Sequence, residues 1–284
     1  MSLRDYASLI RLSHSIFALP FALLALLAAN PSPSAATLAL CLVAVVAART
    51  AAMAYNRYVD RDIDAQNPRT QNREIPRRAI TPRRALAFSV FSGAVFLVCC
   101  IGLGPVCARM SVPVLLWLLL YSHTKKFTVF CHLWLGVALG LAPAAAWVAA
   151  RGDFSDFGTP LQLALGVALW VAGFDITYAC QDEAFDRSHG LRSIPARFGI
   201  SVSLWMARTV HLLAVVLFAA FGRAAGLHVA FPFGLAAAAC LLTWQHWLLR
   251  RGDLSHIHAA FFTSNGILSV VMLAAGAADI YLFS

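Results

Sequence analysis

Polar side chains at helix spacing mark the end of one apolar stretch of the chain. Asn56, Asp60 and Asp64 lie four residues apart and close the apolar stretch 35–56. Residues at this spacing drift only ~40° per step around a helix, so their oxygen-bearing side chains share one face. The stretch is long enough to cross a bilayer, which places this first acidic stripe where the helix leaves the membrane.

A second acidic stripe ends another apolar stretch, 160–182, later in the chain. It consists of Asp175, Tyr178, Asp182 and Asp186, and spacings of three, four and four residues again predict one helical face. A basic loop and a further apolar stretch follow each stripe, an echo that indicates internal duplication without extended sequence identity. Two acidic stripes on two helix ends predict one shared site.

The ligand types in the two stripes predict a magnesium site. Carboxylates gathered on one membrane face raise one another's pKa, so a cation should lie between them. Oxygen ligands without His or Cys favour Mg²⁺ or Ca²⁺ over zinc or copper. Mg²⁺ in particular binds through one or two carboxylates together with the phosphates of a substrate.

Basic residues near the stripes predict that the metal is bound to an anion. The loop after the first stripe carries Arg69, Thr70 and Arg73, at a spacing that favours a specific anion site over a generic basic loop. Lys125 follows a later apolar stretch, in a position that interfacial anchors also occupy. Arginines and lysine around a bare metal would be wasteful, so we expect an anion such as diphosphate.

Two further arginines each have two interpretations. Arg49 lies seven residues before Asn56, on the same helical face but deeper, where a charge is expensive and needs a partner. It forms either a structural ion pair with a buried acid or a contact to an anionic substrate. Arg11 is either an interfacial anchor or a phosphate contact.

The elements that position these residues are predicted to be membrane helices. Of the 284 residues, 60% are hydrophobic and only 12% charged, and the mean hydropathy is +0.73. This composition excludes a soluble globular domain and predicts an all-α, polytopic membrane protein with a single domain, residues 1–284. Nine apolar stretches approach the length that a bilayer requires: 8–29, 35–56, 84–103, 106–121, 128–150, 160–182, 200–221, 227–248 and 257–282.

The net charge of +9 does not indicate nucleic acid, because the basic residues are distributed by membrane side. With nine spans, the N-terminal tail and the loops after spans two, four, six and eight hold 17 Lys or Arg, against 3 on the opposite side. This asymmetry predicts that the N-terminus and both stripes are cytoplasmic.

The ends and the cysteines of the chain add two expectations. No small-residue cleavage site follows the first apolar stretch, so we expect that stretch to be retained rather than removed as a signal peptide. The seven cysteines lie mostly in apolar stretches and show no Cys-x-x-Cys pair, so we expect core residues rather than disulfides or metal ligands.

A lipid diphosphate fits an anion site at a membrane face beside a helical bundle. Mg²⁺ and arginine would neutralise the charge that builds on the diphosphate as its C–O bond breaks. The departing group leaves an allylic carbocation. A dry, aromatic-lined cavity would shield that cation from water until an acceptor attacks.

Four motifs in order resemble those of the UbiA superfamily of intramembrane prenyltransferases. They are Asn56-x-x-x-Asp60-x-x-x-Asp64, Arg69-Thr70-x-x-Arg73-x-x-Pro76, Tyr121-Ser122-x-x-Lys125-Lys126 and Asp175-x-x-Tyr178-x-x-x-Asp182-x-x-x-Asp186. The resemblance covers nearly the whole chain and is closest to the 4-hydroxybenzoate polyprenyltransferases and their menaquinone relatives. It implies nine transmembrane helices around a central cavity open to the cytoplasmic side, in the bacterial inner membrane.

The resemblance also implies substrates, cofactor and site residues. Prenyl diphosphate and an aromatic acid would be the substrates, with two Mg²⁺ ions held by Asn56, Asp60, Asp64, Asp182 and Asp186. Expected substrate contacts are Arg11, Arg49, Arg69, Arg73, Lys125, Asp175, Tyr178 and Arg192. One position departs from the commoner family pattern, which has Asp directly after the motif Asn where this chain has Arg57. That departure removes a possible metal-side carboxylate and leaves the acceptor open.

Two other function classes compete with an enzyme. A cation-coupled transporter also uses intramembrane carboxylates, but near the midplane on interrupted helices, whereas these stripes lie at helix ends. A non-catalytic membrane assembly factor would leave the stripes idle. Within the enzyme class, a 4-hydroxybenzoate-type acid is the expected acceptor and a naphthoate of the menaquinone pathway is the alternative. The oligomeric state is not predicted.

Overall fold

The computed structural model of the chain describes residues 3–11, 17–249, 257 and 263–283. Within these ranges the backbone forms helices, turns and short connections, and no β-strand. The all-α class predicted from the sequence is therefore confirmed for the described residues.

The helices are numbered in chain order. A 3-10 helix, Cys180–Asp182, joins α8 to α9, and Gly199 bends α10 with a backbone φ of 79°. The α-helices are α1 (Leu3–Leu9), α2 (Leu19–Ala29), α3 (Ala35–Val59), α4 (Arg61–Gln66), α5 (Pro82–Gly102), α6 (Pro105–Thr124), α7 (Cys131–Arg151), α8 (Gly158–Ala179), α9 (Glu183–Ser188), α10 (Ile194–Ala224), α11 (Phe231–Leu248) and α12 (Ser264–Leu282).

Seven helical segments of the described ranges are long and apolar enough to cross a bilayer, so the chain is an integral membrane protein. They are α3, α5, α6, α7, α8 with its continuation to Ser188, α10 and α12. The count of nine spans stays a prediction. The predicted first span, 8–29, is described as the 11-residue helix α2 with residues 12–16 outside the described ranges. The helix at the predicted eighth span, α11, is not among the seven.

A small apolar cluster holds the loop between α4 and α5 against the bundle. Leu9 of α1, with Ile75 and Ile80 of the loop, packs on Ala54 of α3 and Ala85 of α5. All five side chains are buried. The loop that carries the basic motif is therefore fixed relative to the first acidic stripe.

Helices α7 and α8 approach each other through glycine. A Cβ added to Gly136 would lie 2.1 Å from the carbonyl oxygen of Ala168, and one added to Gly140 would lie 2.4 Å from that of Ala164. The spacing of these glycines predicts such an approach. Because α8 leads into the second stripe, this contact sets where the stripe lies.

Helices α6 and α7 are joined by a reciprocal pair of tryptophans. The rings of Trp117 and Trp134 stack with centroids 4.0 Å apart and planes 9° from parallel. Each indole N–H donates to the backbone carbonyl of the other residue, at 3.4 Å and 3.0 Å. This pair closes the helical hairpin whose turn carries Lys125.

Asp279 of α12 binds the beginning of α11. Its carboxylate accepts hydrogen bonds from the backbone N–H groups of Val229, Ala230 and Phe231 at 2.9, 3.1 and 2.7 Å. The first N–H groups of a helix lack partners within the helix, and they carry partial positive charge. A carboxylate is therefore well placed to join the two helices.

We expect Asp279→Ala to lower the stability of the protein by roughly 1–3 kcal/mol, because it leaves these N–H groups without their acceptor. Thermal unfolding in detergent measures the change. Asp279→Asn keeps one acceptor oxygen and should give an intermediate melting temperature. An alanine variant that melts with the wild type would contradict this account of the joint.

Candidate functional site

The first acidic stripe bends at its middle residue. Asn56 lies in the last turn of α3, Asp60 separates α3 from α4 with φ −89° and ψ 3°, and Asp64 lies in α4. The backbone N–H of Asp60 donates to the carbonyl of Asn56 at 2.9 Å, and that of Asp64 to the carbonyl of Asp60 at 2.7 Å. These bonds keep the four-residue repeat across the bend, so the predicted stripe survives although the helix is interrupted.

The second stripe also crosses a break, where the sequence predicts one continuous helical face. Asp175 and Tyr178 lie in α8, Asp182 ends the 3-10 helix and Asp186 lies in α9. Asp182 and Asp186 are buried, with 6% and 2% of their surface exposed. A 3-10 turn is wound more tightly than an α-turn, so it changes the direction of the residues that follow it.

The loop after α4 brings the two stripes together. Asp182 accepts hydrogen bonds from Asn67 Nδ2 at 3.1 Å, from Arg69 Nε at 2.8 Å and from Arg69 Nη2. The Arg69 guanidinium lies 5.2 Å from the ring centroid of Tyr178 and donates to its hydroxyl at 3.3 Å. Residues next to the first stripe thus bind residues of the second.

Arg73 pairs with the first stripe itself. Its Nη1 donates to Asp64 Oδ1 at 2.6 Å, while Asp64 Oδ2 is buried without a hydrogen-bond partner. The hydroxyl of Thr70 donates to the backbone carbonyl of Asp64 at 3.0 Å. The basic motif therefore holds Asp64 but uses only one of its carboxylate oxygens.

Lys125 lies between the stripes. Its Nζ is 3.5 Å from Asp186 Oδ2, an oxygen that has no hydrogen bond. Burial opposes the charged form of Lys125, but nearby carboxylates, first Asp186 and then Asp175 and Asp182, outweigh burial and raise the pKa of Lys125. Lys125 stays protonated at neutral pH.

Asp60 feels both the stripe and the lysine. Burial, followed by the like charge of Asp64, raises the pKa of Asp60 to about 6. Lys125, Arg73 and a hydrogen bond of 2.8 Å from Asn56 Nδ2 act in the opposite direction. Because Lys125 influences Asp60 and Asp186 alike, the two stripes share one electrostatic environment.

The carboxylate and amide oxygens of this site are the ligand types that a hard divalent cation prefers, but their positions do not form a coordination shell. Within the described ranges, no three Asp, Glu, His or Cys side chains lie close enough together to hold a metal ion. Arg69 and Arg73 neutralise Asp182 and Asp64 instead. Buried oxygens without hydrogen bonds on Asp64 and Asp186 are still free to take a cation.

Of three other predicted arginines, two bind backbone carbonyls and one has an exposed side chain. Arg49 donates to the carbonyls of Ile10 and Arg11, both at 3.0 Å, so it holds the segment after α1 against α3. The side chain of Arg11 is exposed. Arg192 is also exposed and donates to the carbonyl of Phe127 at 2.8 Å, which ties the loop after α9 to the loop that carries Lys125. None of these contacts joins these arginines to either stripe.

An apolar cavity of about 370 Å³ extends from the polar site between α3, α5, α6, α7 and α8. Arg49, Asn56, Tyr121 and Asp175 line its polar end, and Asp175 is the one carboxylate among the described lining residues. Most other lining residues are aliphatic or aromatic. The cavity can hold a hydrocarbon chain whose charged end lies at the stripes.

His132 is a site residue that the sequence did not identify. It is fully buried in the first turn of α7, with Nδ1 2.6 Å from Asp175 Oδ2. Its Nε2 accepts the backbone N–H of Ile194 at 3.3 Å, so the network assigns the proton to Nδ1, which donates to Asp175. An ionisable residue within an apolar stretch was the available signal, since such a residue needs a partner.

Comparisons with known proteins agree with this architecture. The model of the UbiA prenyltransferase family matches residues 17–266. The 4-hydroxybenzoate octaprenyltransferase of Azoarcus sp. is 30% identical over 260 residues, which cover 90% of this chain and 88% of the relative. The protein of the same name from Alkalilimnicola ehrlichii is 29% identical over 273 residues, or 95% of this chain and 92% of the relative.

Solved structures of similar fold extend the comparison. The apo structure of a UbiA homolog from Aeropyrum pernix matches with a TM-score of 0.84 and 35% identity, over 92% of this chain and 96% of that chain. A UbiA homolog from Archaeoglobus fulgidus, solved with GPP and Mg²⁺, matches with a TM-score of 0.79 and 20% identity, over 98% of this chain and 100% of that chain. At that identity the second likeness concerns the fold.

Proposed function

Because the chain belongs to the UbiA prenyltransferase family and is a prenyltransferase, we propose that it transfers a polyprenyl group from its diphosphate to an aromatic acid of the 4-hydroxybenzoate type, in quinone biosynthesis. The observation that carries the proposal is that the two acidic stripes, linked through Arg69 and Lys125, each contribute one residue, Asn56 and Asp175, to the polar end of an apolar cavity. The names of the curated relatives support this acceptor, and a naphthoate is the alternative.

The diphosphate binds at the stripes. Asn56, Asp60, Asp64, Asp182 and Asp186 would hold Mg²⁺, which supplies Lewis-acid neutralisation of the charge on the leaving diphosphate. With these carboxylates neutralised, the basic residues that now pair with them exchange carboxylate oxygens for phosphate oxygens: Arg69, Arg73 and Lys125. The same cations then stabilise the negative charge that develops as the C–O bond breaks.

The prenyl chain lies in the apolar cavity. Phe96 and Phe174 are among its aromatic lining residues. An aromatic face stabilises a cation electrostatically, and a cavity lined by apolar groups keeps water from the allylic carbocation. The diphosphate leaves with the electron pair of the C–O bond. The acceptor ring then attacks the first prenyl carbon, and the attacked ring carbon releases its proton to solvent at the polar end, which restores the aromatic ring.

The acceptor lies at the polar end of the cavity. Asp175 lines this end and receives a hydrogen bond from His132. Its carboxylate can also accept a hydrogen bond from the hydroxyl group of a hydroxybenzoate. Arg49 lines the same end and provides a positive field for the carboxylate of the acceptor. Tyr178 would position the Arg69 guanidinium on which it stacks.

A panel of acceptors tests the proposal. Purified protein in detergent with Mg²⁺ and radiolabelled prenyl diphosphate is offered 4-hydroxybenzoate, a dihydroxynaphthoate and other aromatic acids, and lipid products are identified by mass spectrometry. We expect a prenylated 4-hydroxybenzoate that carries the full prenyl group. Naphthoate as the preferred acceptor would select the alternative, and an absence of any aromatic product would refute the acceptor class.

The membrane arrangement belongs to the same proposal. The excess of arginine and lysine in the loops that carry the stripes supports an N-terminus and a site at the cytoplasmic face of the bacterial inner membrane. Prenyl diphosphate would then enter from the lipid phase and the aromatic acid from the cytoplasm.

We expect His132→Leu to lower kcat/KM for the acceptor by roughly tenfold, because Asp175 loses a hydrogen bond to its carboxylate worth about 1.5–3 kcal/mol. The KM for prenyl diphosphate should change little, since His132 makes its side-chain hydrogen bond to Asp175 and not to the residues that would hold Mg²⁺. His132→Asn, which keeps an N–H near the Nδ1 position, should recover part of the loss. Equal losses toward both substrates, measured by steady-state kinetics, would indicate a purely structural histidine.

A further inference from the structure

Arg57 is a buried cation without a bound partner. It follows Asn56 in the last turn of α3, and 5% of its surface is exposed. No hydrogen bond or ion pair within the described ranges involves its guanidinium, and its Nε is a buried donor without an acceptor. Burying an unpaired charge is costly, so a residue kept in this state needs a ligand to explain it.

The neighbours of Arg57 do not neutralise it. Asp64 and Glu74 lie within electrostatic range, but so do Arg73 and Arg11. Asp64 already accepts from Arg73, and Glu74 already accepts from Ser8 at 2.5 Å. Three arginines thus share two carboxylates, and the local charge stays positive.

Three residues that interact electrostatically here carry buried atoms without hydrogen-bond partners. Arg57 Nε and Arg73 Nε are buried donors without acceptors, and Asp64 Oδ2 is a buried acceptor without a donor. A cation alone would satisfy the carboxylate oxygen but repel the arginines, and an anion alone would do the reverse. An anion carried on a metal ion satisfies all three atoms at once.

We propose that Arg57 binds the diphosphate of the prenyl substrate. The proposal rests on the function proposed above and adds a residue to its diphosphate site. A guanidinium next to Asn56, within electrostatic range of Asp64 and Arg73, gives the site a direct partner for phosphate oxygens. A site with Arg57 should therefore bind an anion more tightly than the same site without a cation at this position. The positive charge of Arg57 is not balanced by the carboxylates near it.

The test compares Arg57→Met with Arg61→Met. Arg61 is partly exposed, donates to the carbonyl of Tyr58 at 2.7 Å and lies close to Asp62, so its removal leaves the stripes untouched. Binding of inorganic pyrophosphate in the presence of Mg²⁺ is measured by calorimetry, and thermal unfolding is measured with and without both. The two readouts separate a ligand contact from a structural residue.

We expect Arg57→Met to weaken pyrophosphate binding by about 10- to 100-fold, the loss of a hydrogen bond to a charged group. Without ligand, its melting temperature should equal or exceed that of the wild type, because a buried unpaired charge has been removed. The rise in melting temperature that Mg²⁺ and pyrophosphate produce should shrink. Arg61→Met should match the wild type in binding.

Unchanged pyrophosphate affinity in Arg57→Met would overturn the proposal. Weaker affinity accompanied by a lower melting temperature without ligand would also overturn it, because it would indicate a structural residue. If the methionine variant does not fold, Arg57→Lys decides, since it keeps the charge but loses the two-pronged donor. Wild-type affinity in the lysine variant would then overturn the proposal, and weakened affinity would support it. Wild-type protein that does not bind Mg²⁺ with pyrophosphate would instead overturn the proposed function, and this inference with it.

Discussion

Asp64→Asn and Asp186→Asn are each expected to reduce prenyl transfer by roughly 10²- to 10³-fold, a loss typical of removing one electrostatic stabiliser of a transition state. Each residue presents a buried carboxylate oxygen without a hydrogen-bond partner, one from each stripe. Asparagine keeps the size and one oxygen of the side chain but removes the negative charge. The rate is measured as labelled prenyl group transferred to the acceptor under saturating Mg²⁺.

Two neighbouring acids provide matched controls. Asp62 lies in the same short helix as Asp64, and its side chain is 78% exposed. Glu183 lies in the same helix as Asp186 and pairs with Arg187. Asp62→Asn and Glu183→Gln should keep close to wild-type rates. Wild-type turnover in Asp64→Asn or in Asp186→Asn would contradict the assignment of a shared metal site.

Gly136→Ala is expected to destabilise the protein by about 2 kcal/mol, although alanine favours a helix over glycine by ~0.5–1 kcal/mol. The added Cβ would lie 2.1 Å from a backbone carbonyl oxygen of α8, which cannot turn aside as a side chain would. Separating α7 from α8 also displaces the wall that carries the second stripe. Thermal unfolding in detergent and the fraction of monodisperse protein measure the effect.

Gly158→Ala is the control for this substitution. Gly158 begins α8, and a Cβ added there would meet nothing within 4 Å. Its melting temperature should equal or slightly exceed that of the wild type, since only the helix preference of alanine is then at work. Equal losses in both glycine variants would mean that the close contact between the helices is not the cause.

Periodicity predicted much of this protein because the patterns in question are local. Seven of the nine predicted apolar stretches correspond to long apolar helices of the described ranges, and four-residue spacing placed Asn56, Asp60 and Asp64 in sequence along one helix end. The fourth stretch, short and carrying Arg109 and Pro113, proved to be the full helix α6. The spacing of the glycines in α7 likewise predicted a close helix contact, which the structure shows with α8.

The pairings across the site could not be predicted from spacing. Arg69 and Arg73 were expected to contact phosphate, yet in the structure they bind Asp182 and Asp64, because a buried carboxylate needs a positive partner. His132 and Asp175 lie on different helices, and only the packing of α7 on α8 brings them together. The breaks at Asp60 and at Cys180–Asp182 leave no mark on the residue spacing.

The stacked pair Trp117 and Trp134 between α6 and α7 distinguishes Lys125 from the two arginines of the site. Lys125 lies on the turn of a helical hairpin that stacked indoles and reciprocal hydrogen bonds hold together, so the position of its charge is fixed relative to α6 and α7. Arg69 and Arg73 lie instead in the loop between α4 and α5, and their long side chains pair with Asp182 and Asp64. In the proposed reaction, Lys125 would therefore give the diphosphate one fixed positive charge, while the side chains of Arg69 and Arg73 would have to turn from carboxylate to phosphate oxygens.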